Sequence, residues 1–123
     1  MYTLDTNAVI YYAQGDTRAV EALDRIFSKH APLYISTVSE IELFGFPSLA
    51  EEEAQRIEQF LSVIAILPLD SHIARLAASL RRQFRIKTLD SAIAATALIT
   101  HSSLITRNLG DFKKIPNLEV VRI

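Results

Sequence analysis

Residues 1–10 read MYTLDTNAVI, and their reading decides the fold. Tyr2-Thr3-Leu4 suits a short strand, rich in aromatic and β-branched side chains. Asp5-Thr6-Asn7 then interrupts it, and an apolar run resumes at Ala8. A carboxylate at such a junction is a favoured helix cap, so the segment predicts a strand passing directly into a helix that breaks at Gly15. The same junction is also where a metal ligand would stand.

Working outward, the handover recurs. Asp16 or Thr17 caps a helix carrying Val20, Leu23, Ile26 and Phe27 at helical spacing, and Pro32 ends that region. LYIS is a strand, and Thr37 or Ser39 opens a helix that Gly45 and Pro47 stop. Ser48 and Glu51 read as a capping box for a helix to about Leu61. VIAILPL reads as a buried strand. Asp70 or Ser71 caps a helix with Ile73, Leu76, Ala77, Leu80 and Phe84 on one face. Thr88 caps LDSAIAATALI, apolar nearly all round and therefore a central packed helix. SLIT is a strand, RNLGD a turn and LEVVR a last strand. Alternation of this kind predicts a single α/β domain over residues 1–123, with a central, mostly parallel sheet of four to five strands.

Composition narrows the classes. Half of the 123 residues are hydrophobic, which suits strands covered on both faces and an apolar surface kept for a partner. No apolar run is long enough for a membrane span, and no signal peptide is expected. Cysteine is absent, which excludes disulfides and thiolate zinc sites and fits a reducing, cytoplasmic setting. A net charge of -1 argues against a general polyanion binder. The charges are uneven, however. No acid falls between Asp70 and Asp90, where Arg75, Arg81, Arg82, Arg85 and Lys87 lie, and Lys113-Lys114 follow later. This is either a solvated helix face or a phosphate-contacting patch.

In a parallel α/β sheet, ligands bind outside the carboxyl ends of the strands. Asp5 follows the first strand; Thr106 ends SLIT and Arg107 and Asn108 follow it, with Asp111 beyond. Glu42 lies early in a helix after LYIS, and Asp90 in the first turn of the apolar helix. All four acids can therefore reach one rim. Each has a plain structural use as a cap, a turn residue or a wet face. Together they are harder to dismiss. Converging carboxylates repel and their pKa values rise unless a cation joins them. An all-oxygen site suits Mg²⁺ or Mn²⁺, which bind phosphates and lower the pKa of water. Residue chemistry alone thus reaches divalent-metal phosphate chemistry without choosing between nuclease and phosphatase. Asn7, where an aspartyl-nucleophile phosphatase wants a second Asp, counts against the latter. His30, His72 and His101 lie near predicted helix ends and read as surface or capping residues.

The segments YTLDTNAVI, ISTVSEIELFGF, KTLDSAIAATAL and LITRNLGDFKKIPNLEVV resemble, in order and spacing, the PIN-domain ribonuclease toxins of VapBC-type toxin–antitoxin pairs. The resemblance implies an α/β/α sandwich and an acid cluster binding Mg²⁺ or Mn²⁺ that cuts RNA by metal-assisted hydrolysis. Carried over by position, Asp5, Glu42, Asp90 and Asp111 match the acids, both as metal ligands and as catalytic residues. Glu40 falls in the same motif as Glu42 but points nearly the opposite way on a helix. Some members carry an acid where this chain has Asn108. Thr6 and Thr106 match hydroxyl positions that orient the acids or the scissile phosphate. The resemblance also implies a homodimer and an antitoxin protein whose peptide lies near the acids. The alternatives are a PIN-like module that binds RNA or protein without cutting, and a metal-dependent phosphatase.

Overall fold

The structure is a computed structural model describing residues 1–123. Five short strands form one sheet: Tyr2–Leu4 (β1), Leu33–Ser36 (β2), Ala65–Leu67 (β3), Ser103–Thr106 (β4) and Val120–Arg122 (β5). Every pairing is parallel, in the order β3-β2-β1-β4-β5. The helices are Thr6–Ala13 (α1), Thr17–Ser28 (α2), Thr37–Phe44 (α3), Glu51–Leu61 (α4), Ser71–Phe84 (α5) and Thr88–Ile99 (α6), with a short 3-10 turn at Gly110–Lys114. No helix is long and apolar enough to cross a membrane.

The pleat of the strands divides the core in two, because successive side chains face opposite sides of a sheet. Leu4 and Ile105 point into a core with residues of α1, α2, α3 and α4. Leu104 points into the other, with α5, α6 and the 3-10 turn. Helices thus cover both faces of the parallel sheet that the alternation predicts, giving the three-layer α/β/α arrangement that the family resemblance implies. The apolar helix α6 is central, with Ser91 through Ala97 all buried. Its run of alanines lets the helix axis approach the sheet closely.

The chain enters at β1, builds β2 and β3 to one side, then crosses to β4 and β5 on the other. The switch in direction falls between β1 and β4. The carboxyl ends of strands at such a switch are where parallel sheets place ligands. The backbone N–H of Asp5 bonds Ile105 O at 2.9 Å and ties the two strands together there.

Four local expectations change. VIAILPL was expected to be a buried strand, but β3 is an edge strand: Ala65 and Ile66 are exposed, because β3 pairs only with β2. The helix α3 is capped by Ser36, whose hydroxyl accepts from Val38 N, rather than by Thr37 or Ser39. Lys87, not Thr88, is the cap residue of α6. Ser48 and Glu51 form no capping box: a turn closed by Leu49 N to Phe46 O delays the helix, which starts at Glu51 after an uncapped Ala50. Glu51, Glu52 and Glu53 in its first turn favour that end through the helix dipole instead. Ser48→Ala should therefore change stability by less than about 0.5 kcal/mol in thermal or urea unfolding. A loss near 1 kcal/mol, the worth of a working cap, would contradict this account.

Candidate active site

Asp5 caps α1 with its backbone in an extended conformation (φ -71°, ψ 153°). Its side chain is 6 % exposed, and both oxygens are held: Oδ1 accepts from Thr6 N at 2.8 Å and Oδ2 from the Thr106 hydroxyl at 2.7 Å. The cap reading and the ligand reading of Asp5 thus coexist. Thr106 in turn accepts from Asn108 N at 3.1 Å and from Asn7 Nδ2 at 3.4 Å. Asn7 Oδ1 accepts from Arg107 N at 3.3 Å, so Asn7 links the start of α1 to the end of β4.

Thr6 bridges to the second acid. Its hydroxyl donates to Glu42 Oε1 at 2.6 Å and lies 2.9 Å from Ser39 Oγ. Glu42, rather than Glu40, is therefore the α3 acid joined to Asp5. Ser39 is fully buried; the sequence offers it only as a helix cap, although Ser39 and Glu42, three residues apart, share a helix face.

Electrostatics place the third acid. Burial raises the Asp5 pKa to about 6; the Thr106 hydrogen bond works against the rise, while the charges of Asp90 and Glu42 add to it. Burial also raises the Asp90 pKa, with Asp111 and Glu42 adding to it and Lys87 opposing. Asp5, Glu42 and Asp90 thus share one rim and repel one another. Asp111 sits at its margin and differs in kind. Lys114 Nζ at 2.9 Å and Lys87 N at 3.1 Å take its two oxygens, and these donors lower its pKa. Asn108 contributes through its backbone, and its side chain is folded against Gly110, where an added Cβ would come within 2.9 Å of Oδ1.

No three acids or histidines lie close enough to form a ready-made ligand set. The donor chemistry nonetheless suits a hard divalent cation. It is all oxygen, and neither ion pair of the chain involves Asp5, Glu42 or Asp90. Arg107, which the sequence puts on this edge, is committed elsewhere. It forks onto Asp16 at 2.6 and 3.0 Å and stacks 3.9 Å from the Tyr11 ring centre. That contact holds the Asp16 pKa down at about 2 and fastens the start of α2 to the end of β4.

Comparison with known proteins identifies the family and the fold. Ribonuclease VapC1 of Rickettsia felis is 31% identical over 131 residues, covering 98% of this chain and 94% of that protein. Ribonuclease VapC19 of Mycobacterium tuberculosis is 27% identical over 124 residues, covering 97% and 98%. Among solved structures, a toxin–antitoxin complex from Klebsiella pneumoniae superposes with TM-score 0.80 at 31% identity over the full length of both chains. The VapBC2 complex of Rickettsia felis, bound to promoter DNA, superposes with TM-score 0.84 at 24% identity, over 99% of this chain and 98% of that one, a likeness of fold. The family model for the PIN domain matches residues 2–118, and the chain belongs to that family.

Proposed function

We propose that this protein is a metal-dependent endoribonuclease toxin of the VapC kind, restrained by a partner antitoxin. The observation that carries the reading is the buried, ion-pair-free carboxylate of Asp5 at the end of β1, whose pKa the charges of Asp90 and Glu42 help to raise. Burying a lone carboxylate is costly, and a divalent cation offsets that cost. The ribonuclease names of the VapC relatives support the choice of RNA over a phosphate monoester.

In this reading Asp5, Asp90 and Glu42 would hold Mg²⁺ or Mn²⁺, and Asp111 stands at the margin with both oxygens taken by Lys87 N and Lys114 Nζ. The bound cation would supply acidification of water and stabilisation of charge on the phosphoryl group. The hydroxyls of Thr6 and Thr106 fix the rotamers of Glu42 and Asp5, and the Asn108 backbone fixes Thr106. Arg81 is turned to Ile86 O and Lys114 to Asp111, which leaves Arg75, Arg82, Arg85, Lys87 and Lys113 exposed for RNA phosphates.

The antitoxin reading draws on the solved toxin–antitoxin complexes and on a surface feature. A cleft of about 430 Å³ lies beside Tyr12, Phe27, Phe60 and Val63, between α1 and α4. Ala13 separates it from a smaller apolar notch at Ile10, Leu43 and Phe46. This open apolar track fits a partner segment. A second copy of the chain completes a homodimer, to be checked by size-exclusion chromatography.

Cleavage of a labelled RNA by purified protein should require Mg²⁺ or Mn²⁺ and stop in chelator. It should also stop on adding a co-expressed antitoxin. Metal-independent cleavage, or no Mg²⁺ binding up to millimolar concentrations, would count against this function, the second outcome favouring a non-cutting PIN module.

A further inference from the structure

The N-terminus of α6 is capped from outside its own sequence. Its cap residue, Lys87, supplies no side-chain cap bond. The Lys87 backbone N–H instead donates to Asp111 Oδ2 at 3.1 Å, and Lys114 Nζ anchors Oδ1 of the same carboxylate at 2.9 Å. In a reciprocal cap, the acid at the third helical position reaches back to the N–H of the cap residue. In α6, which begins at Thr88, that third position is Asp90. Local geometry therefore draws Asp90 onto Lys87 N–H, and an Asp90 held there would be turned from Asp5 and Glu42. Asp111 already occupies that donor. Asp90 stays half-buried, without a hydrogen bond from the chain, within the fields of Glu42 and Asp111.

We propose that Asp111 is a positioning residue: by accepting the Lys87 N–H it keeps Asp90 out of its own helix cap and turned towards Asp5 and Glu42. The inference rests on the reading of this rim as a divalent-metal centre. It gives Asp111 a task that its position in the motif does not imply, acting on the metal through Asp90 and not as a direct ligand. It also accounts for both oxygens of Asp111 being spent on donors of the chain.

The test is Mg²⁺ binding to the full-length, metal-free protein, followed by titration calorimetry and by the Mg²⁺-induced rise in melting temperature. Asp111→Asn keeps an acceptor for Lys87 N–H and loses the charge; Lys114, half exposed, can turn to water. Asp111→Ala loses both. Adding Lys87→Pro to Asp111→Ala removes the donor that would capture Asp90, and Lys87 already has φ -67°, within the range of proline. Asp111→Asn should bind Mg²⁺ within about threefold of the wild type, Asp111→Ala about tenfold or more weakly, and the double variant again within about threefold. Asn binding as weakly as Ala would overturn the inference in favour of a charge or ligand role. So would Ala binding like the wild type, or a folded double variant that is not restored. The Asn and Ala pair decides the matter even if the proline variant does not fold. A wild type that binds no Mg²⁺ removes the metal reading and this inference with it; a wild type that binds, with Asn no better than Ala, removes this inference alone.

Discussion

In chelator near pH 7.5, Asp5→Asn protein should melt about 5 °C or more above the wild type, and in Mg²⁺ that supports wild-type cleavage it should cut no RNA. Both halves come from one fact. Asp5 is buried, and that burial, with the charges of Asp90 and Glu42, lifts its pKa from 3.8 to about 6. A folded-state pKa above the unfolded value means that the native state holds the proton more tightly. The associated stability is complete below pH 3.8 and is lost as pH rises through about 6. Roughly two pKa units correspond to at most about 3 kcal/mol once the group is fully ionised. Asparagine removes the ionisation and keeps the bonds: its Oδ1 still accepts from Thr6 N, and its amide can donate to the Thr106 hydroxyl, which turns its own proton to Asn108 O at 3.2 Å. The difference in melting temperature should therefore shrink towards about pH 4, where Asp5 is neutral in both states. It should also shrink on adding Mg²⁺, which stabilises only the protein that binds it. A variant melting below the wild type in chelator, or a gap that ignores pH, would show that Asp5 is not the strained carboxylate described above.

The acids at the rim were legible because each stands at a strand-to-helix junction, and the alternation of elements fixes which edge such junctions share. The side chains that hold them were less so. Thr106 reaches Asp5 across 101 residues, a pairing that exists only because β4 lies beside β1. Nothing local in TLDTN or LITRN specifies that neighbour. The fate of VIAILPL was equally hidden: an apolar run suits a strand, but whether anything covers it depends on where it joins the sheet, and β3 joins at the edge. Ser48 and Glu51 matched a capping box in spacing, yet Phe46 and Leu49 closed a turn first. Arg107 follows β4 in sequence, and only the fold shows that Asp16 and Tyr11 take it. In each case the local pattern named a residue's aptitude, and a distant contact decided its use.

Thr106→Val should separate the support of Asp5 from the presence of Asp5. Valine matches threonine in shape but cannot donate, and position 106 is fully buried, so water does not replace the lost hydroxyl. Asp5 Oδ2 loses its 2.7 Å donor, while Asn7 Nδ2 and Asn108 N lose an acceptor. A hydrogen bond to an ionised group is worth about 1.5–3 kcal/mol, so metal-free Thr106→Val should lose about that much stability near neutral pH. The Thr106 bond pulls the Asp5 pKa down against burial, so without it the pKa moves further above 6. The variant's deficit relative to wild type is therefore present where wild-type Asp5 is ionised, and it declines as pH falls below about 6, towards the roughly 1 kcal/mol of a neutral hydrogen bond. Cleavage should fall by about 10- to 100-fold, the usual cost of removing a group that orients a metal ligand. Thr106→Ser, which keeps the hydroxyl and loses only a methyl, should retain most of the activity and the pH profile of the wild type. Urea unfolding of the three proteins at several pH values, beside RNA cleavage at saturating Mg²⁺, reads both effects. A valine deficit that stays constant with pH would mean that the hydroxyl supports the fold at the end of β4 and not the charge on Asp5.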